Sequence, residues 1–143
     1  MSKLAIVYWT GSGNTEEMAK ALEEGAKSAG AETQLSFVTD VTAADIADGF
    51  DHIALGCPAM GNEQLEEYDF EPFFAELAES LSGKKVVLFG SYAWNDGQWI
   101  DLWAERVVEA GAQIIGDPVK AFAFPDDEAL EACRAAGKEL AEA

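Results

Sequence analysis

Short apolar runs of strand length alternate along this chain with longer segments in which apolar residues recur every three or four positions. That is the pattern of parallel strands joined by crossover helices. The spacing predicts a strand over 4–9, then a helix with Met18, Leu22, Gly25 and Ala29 on one face, closed by Gly30. A weaker strand follows over 33–38, then a short helix over 42–47 that Thr42 can cap, then a buried strand over 52–56 beginning at His52. Phe70, Phe73, Phe74, Leu77 and Leu81 mark the next helix, and residues 85–90, β-branched and apolar on both faces, read as the central strand. Ile100, Trp103, Val107 and Ala110 carry a helix that Gly111 ends. Residues 113–115 and 119–123 form a last strand interrupted near Gly116-Asp117-Pro118, before a helix that buries Leu130, Cys133, Gly137 and Leu140. With no repeat and no connection long enough to separate domains, residues 1–143 are expected to form a single domain.

In open parallel sheets, ligands bind beyond the carboxyl ends of the strands where the winding direction reverses. Three loops occupy that edge, over 10–15, 57–68 and 91–97. The first, Thr10-Gly11-Ser12-Gly13-Asn14-Thr15, stands between strand and helix. A helix amino terminus offers unpaired N–H groups and a positive dipole end, so it binds an anion wherever the backbone can come close. Gly11 and Gly13 permit that approach, and Thr10, Ser12, Asn14 and Thr15 add short neutral donors. A P-loop would need Gly-Lys followed by Ser or Thr where Asn14-Thr15 stands, which argues against nucleoside triphosphate hydrolysis. A dinucleotide loop would need a third glycine where Glu16 stands, and that side chain would crowd and repel a pyrophosphate. The loop suits one terminal phosphomonoester.

Charge narrows the field further. Nine Lys plus Arg against 27 Asp plus Glu give a formal net charge of -18, which repels nucleic acid and anionic membranes and favours partners with basic faces. No run approaches the ~18 apolar residues of a membrane span, and the amino terminus has no basic region ahead of a long apolar stretch, so a cytoplasmic protein is expected. Cys57 beside a strand end and Cys133 within a helix read as reduced, buried residues rather than a disulfide or metal site.

The segment from Tyr8 to Glu16 (YWTGSGNTE) resembles the FMN phosphate loop of flavodoxins. The likeness extends through Gly56-Cys57-Pro58-Ala59-Met60-Gly61-Asn62-Glu63, Glu71-Pro72-Phe73-Phe74, Gly83-Lys84-Lys85 and Leu88-Phe89-Gly90-Ser91-Tyr92-Ala93-Trp94, and is greatest to the short-chain clostridial type. The long-chain type's insertion of about twenty residues has no room between the last strand and last helix. The resemblance implies a three-layer α/β sandwich, with a five-stranded parallel sheet of order 2-1-3-4-5 and helices on both faces. It implies a monomeric low-potential one-electron carrier that uses non-covalent FMN in place of ferredoxin, shuttling between semiquinone and hydroquinone. Its partners would be redox proteins with basic docking faces, with no nucleic acid and no membrane.

By the same resemblance Thr10 to Thr15 hold the phosphate. Pro58, Ala59, Met60, Gly61, Asn62 and Glu63, with Ser91, Tyr92, Ala93, Trp94, Asn95 and Gly97, surround the flavin ring. Trp94 and Met60 would cover its two faces, the Gly61 carbonyl would flip to accept a hydrogen bond from the protonated flavin N5, and Glu63 would accept one from N3–H. Glu63, Glu66, Glu67, Asp69 and Glu71 on one loop and Asp96 on the other would form an acidic rim opposing the second electron. Two departures stand out: Pro58 lacks a hydroxyl and an N–H, and Asn62 replaces the Asp, Ser or Gly common there. An FMN-dependent reductase on the same fold is the alternative. A receiver domain is disfavoured, because Tyr8-Trp9 and Cys57-Pro58 stand where it needs carboxylates.

Overall fold

The computed structural model describes residues 3–59, 65–92 and 97–143. Strands β1 (Lys3–Tyr8), β2 (Glu32–Phe37), β3 (His52–Gly56), β4 (Lys85–Tyr92), β5 (Gln113–Ile114) and β6 (Val119–Phe122) alternate with helices α1 (Asn14–Ser28), α2 (Ala43–Gly49), α3 (Phe70–Ala78), α4 (Gln98–Glu109) and α5 (Asp127–Glu142). All described strand pairs are parallel, in the order β2-β1-β3-β4-β5, with β6 also against β4. The last strand of the sequence reading is thus two segments on one neighbour, split at the turn containing Gly116 and Pro118.

Alternation along each strand builds two cores. Leu4 and Ile6 of β1, Ala54 of β3, and Val87 and Phe89 of β4 face α1 and α5. Their neighbours Ala5, Val7, Ile53, Leu55, Val86 and Leu88 face the layer that supplies Ile46, Phe70, Phe74 and Trp103. Because both faces are covered, β4 is buried from Val86 through Ser91, which explains its continuous apolar run.

Several boundaries differ from the sequence reading, four of them informatively. β1 ends at Tyr8 rather than Trp9, and β2 ends at Phe37, with Val38 entering a 3-10 turn. β4 continues through Ser91 and Tyr92, because β6 supplies the parallel register Ser91↔Ala121 and Tyr92↔Phe122. α3 stops at Ala78 instead of reaching Leu81, its end tightened by the Glu79 and Ser80 N–H groups donating to the Glu76 (3.3 Å) and Leu77 (2.9 Å) carbonyls.

The caps follow local chemistry. Thr42 Oγ1 accepts the Asp45 N–H at 3.1 Å at the start of α2, and Asp126 Oδ1 accepts the Ala129 N–H at 2.9 Å at the start of α5. Asp126→Ala is expected to cost about 1 kcal/mol, read as a lower denaturant midpoint at unchanged slope; an unchanged midpoint would show that this cap contributes nothing.

Candidate functional site

β1 leads toward β2 on one side and β3 on the other, so the winding reverses at the carboxyl ends of β1 and β3. α1 begins at this point. Gly13 is its N-cap and takes φ 94°, a left-handed conformation that L side chains rarely adopt, with room around the missing Cβ. Gly13 is therefore required by backbone conformation. Gly11 answers to space instead, since a Cβ there would lie 3.1 Å from the Trp9 indole.

The loop is internally braced. Thr10 Oγ1 accepts the Gly13 N–H at 3.0 Å, and the Gly13 carbonyl accepts the Glu17 N–H at 3.1 Å. Thr15, 1 % exposed, shares a hydrogen bond of 3.3 Å between its Oγ1 and Ser91 Oγ, tying the first turn of α1 to the end of β4. Gly11 and Ser12 are exposed, while Lys20 is turned along the helix toward Glu16 (3.4 Å) and Glu17 (3.8 Å). This donor set of backbone N–H groups and hydroxyls at a helix start fits a phosphomonoester. Burial, then the Glu16 charge, raises the Tyr8 phenol above its ordinary pKa, so the residue at the end of β1 stays neutral.

The second loop leaves β3 as an extension of the sheet. The Cys57 N–H donates to the Phe89 carbonyl at 3.2 Å and the Ala59 N–H to the Ser91 carbonyl at 3.0 Å. Alternation turns residue 58 the other way, past the end of β1, so Pro58 removes no bond to β4. Gly90 is forced by this approach, because a Cβ there would sit 2.2 Å from the Cys57 carbonyl oxygen. That oxygen also accepts the Trp99 indole N–H at 3.0 Å.

Glu66 closes the far side of the loop. Only 4 % exposed, its carboxylate accepts N–H groups from Tyr68 (2.9 Å), Asp69 (2.7 Å) and Phe70 (2.8 Å), satisfying the start of α3 where Asp69 makes no side-chain cap. Its own N–H donates to Cys57 Sγ at 3.3 Å. Burial raises the Cys57 thiol well above its ordinary pKa, partly opposed by that N–H. Burial likewise pushes Cys133 up to about 12, and both cysteines are free.

These positions revise the acidic rim. Glu66 is a buried ligand of backbone N–H groups, not a solvated charge. Glu71 forms a two-pronged pair with Arg106, at 2.7 Å to Nη1 and 2.8 Å to Nη2, which also raises the Arg106 pKa. Glu67 and Asp69 remain exposed. Met60, Gly61, Asn62, Glu63, Ala93, Trp94, Asn95 and Asp96 lie outside the described residues.

The structure brings Thr10 to Thr15, Pro58, Ala59, Ser91, Tyr92 and Gly97 to one edge. His52 begins β3 at the opposite edge, with its Nε2 3.1 Å from the Ala143 carbonyl oxygen. At the carboxyl edge the sequence reading named neither Trp99 nor Phe122, and took Glu66 only as part of the acidic rim. Trp99 lies one turn before Trp103 on the same buried face of α4, a spacing that could have revealed it. Phe122 ends β6 with its ring 5.5 Å from Tyr92, which is in turn 5.8 Å from Trp99. Glu66 gave no such signal, being one carboxylate in an acidic run.

An open parallel sheet whose switch point carries a helix-headed loop of neutral donors defines a doubly wound α/β class suited to a phosphate-bearing ligand. The chain matches the Flavodoxin family over residues 6–137. It is 50% identical over 114 residues to a flavodoxin of Megasphaera elsdenii, covering 80% of this chain and 82% of the relative. It is 42% identical over 138 residues to that of Clostridium beijerinckii, covering 96% and 99%. The solution structure of two-electron reduced Megasphaera elsdenii flavodoxin superposes with a TM-score of 0.86 at 46% identity, covering 98% of this chain and 99% of that one. The chain belongs to the flavodoxin family, in its short-chain form: FMN-binding electron carriers that work with redox partners rather than transform substrates. Among the described residues no helix is long and apolar enough to cross a membrane.

Proposed function

We propose that this chain is a cytoplasmic, monomeric, single-domain carrier of one electron at low potential, working in place of ferredoxin. The observation that carries this reading is the left-handed Gly13 at the head of α1, with Thr15 bound to Ser91 across the switch point. Thr10, Gly11, Ser12, Gly13, Asn14 and Thr15 hold the FMN phosphate through hydroxyls and backbone N–H groups. Pro58, Ala59, Met60, Gly61, Asn62 and Glu63 line one side of the ring, and Ser91, Tyr92, Ala93, Trp94, Asn95 and Gly97 the other. When bound, FMN supplies the one-electron chemistry. The protein sets its potential by backbone contacts and by the carboxylates left unpaired, Glu67 and Asp69 among them. The net charge of -18 favours redox proteins with basic docking faces.

Anaerobic titration of the purified protein with a strong reductant, followed in the visible, tests this. The expected record is a yellow protein bleaching in two resolved one-electron steps, with a long-wavelength band that rises in the first and falls in the second. Bleaching in a single two-electron step would overturn the one-electron reading. A chain that takes up no FMN would overturn the cofactor reading with it.

A further inference from the structure

The loop that leaves β3 has both ends anchored, and Glu66 makes the bonds at its far end. At its start, Cys57 and Ala59 are bonded to β4, and the Cys57 carbonyl receives the Trp99 indole N–H. At its end, Glu66 donates its N–H back to Cys57 Sγ, accepts three N–H groups of residues 68–70 on its carboxylate, and accepts the Glu71 N–H at 2.8 Å on its carbonyl. The span between includes Gly61 and Glu63.

We infer that Glu66 is a positioning residue for FMN: it acts by tying Cys57 at the start of this loop to the Tyr68, Asp69 and Phe70 amides beyond its end through hydrogen bonds, not through its charge at the flavin. The inference rests on the proposed site. Ordering a loop opposes binding, so a loop ordered beforehand binds more tightly. A carboxylate 4 % exposed and saturated by backbone donors is suited to that purpose. The two roles predict opposite signs. FMN carries an anionic phosphate, so removing a nearby carboxylate for electrostatic reasons alone leaves affinity unchanged or increases it. Removing a loop anchor decreases it.

The test compares Glu66→Gln with Glu67→Gln, the same loss of charge at the adjacent, exposed residue. In Glu66→Gln one acceptor oxygen becomes an amide NH2, which can no longer serve all three N–H groups. FMN and riboflavin are titrated into the apoprotein under conditions where every variant is folded by circular dichroism, and amide exchange is followed at Tyr68, Asp69 and Phe70. The expected result for Glu66→Gln is a loss on the order of tenfold for both ligands alike, with faster exchange at those amides. Glu67→Gln should bind as well as the parent or better. Cys57→Ala, which removes only the acceptor of the Glu66 N–H and no charge, should weaken both ligands in the same direction and serves where Glu66→Gln does not fold. Unchanged or tighter binding in Glu66→Gln, or normal binding in Cys57→Ala where that variant stands in, overturns the inference. A parent chain that binds neither ligand overturns the proposed function, and the inference with it.

Discussion

Asn14→Asp is expected to weaken FMN binding on the order of fifty-fold while leaving the apoprotein as stable as the parent or slightly more so. The side chain keeps its size and gains one negative charge at the first residue of α1. In the empty protein that charge meets the positive end of the helix dipole, worth roughly 0.3–1 kcal/mol, although Glu16 and Glu17 in the same turn already use part of that field. With FMN bound it faces a phosphate of about −1.5 to −2. Across a separation of one helical turn, ~5 Å, in a partly solvated site, the repulsion is roughly 2–3 kcal/mol. The electrostatic loss at the ligand therefore exceeds the gain in the helix. Riboflavin, which lacks the phosphate, should bind Asn14→Asp and the parent equally, and added salt should recover part of the FMN loss. Equal losses for FMN and riboflavin would mean that the substitution had damaged the flavin ring's site, and that the phosphate is not held at the head of α1.

Wherever one local cause determines a residue's surroundings, the sequence was enough to read them. Continuous apolar runs placed β1, β3 and β4, and Gly13 followed by helical periodicity placed the loop that heads α1, because a left-handed cap has few other solutions. The errors share a different cause. Ser91 and Tyr92 look like loop residues until β6, some thirty positions later, pairs with them. Glu66 looks like one more solvated acid until the chain folds back to offer three unpaired N–H groups to its carboxylate. Glu71 is neutralised by Arg106 on another helix. Each depends on a partner distant in sequence or on the path of a loop, neither of which periodicity encodes.

Gly25→Ala should destabilise the protein by about 2 kcal/mol or more, although alanine is the better helix former. Residue 25 lies inside α1, where glycine costs roughly 1 kcal/mol relative to alanine, so an isolated helix would gain from the change. In the folded chain a Cβ at Gly25 would stand 1.8 Å from the Arg134 carbonyl oxygen of α5, and a Cβ at Gly137 would stand 2.0 Å from the Leu22 carbonyl oxygen of α1. The two backbones touch at reciprocal glycines, and no rotamer relieves an overlap that begins at Cβ. The helices must separate, which opens the core that Met18, Leu22, Cys133 and Leu140 fill between them. Overpacking that moves backbone costs about 1–3 kcal/mol and occasionally more, and an overlap at Cβ that no rotamer relieves belongs at the upper end, which outweighs the gain in propensity. Gly49→Ala, at the last residue of α2 with nothing within 4 Å of the new Cβ, replaces a helical glycine without any overlap and should be neutral or stabilising. Once either alanine has pushed the helices apart, the second meets less resistance. The double variant Gly25→Ala/Gly137→Ala should therefore lose less than the sum of the single losses. Denaturant midpoints of the four variants decide the matter. A stabilised Gly25→Ala would show that α1 and α5 do not meet backbone to backbone, and strictly additive losses would show that the two glycines serve separate contacts.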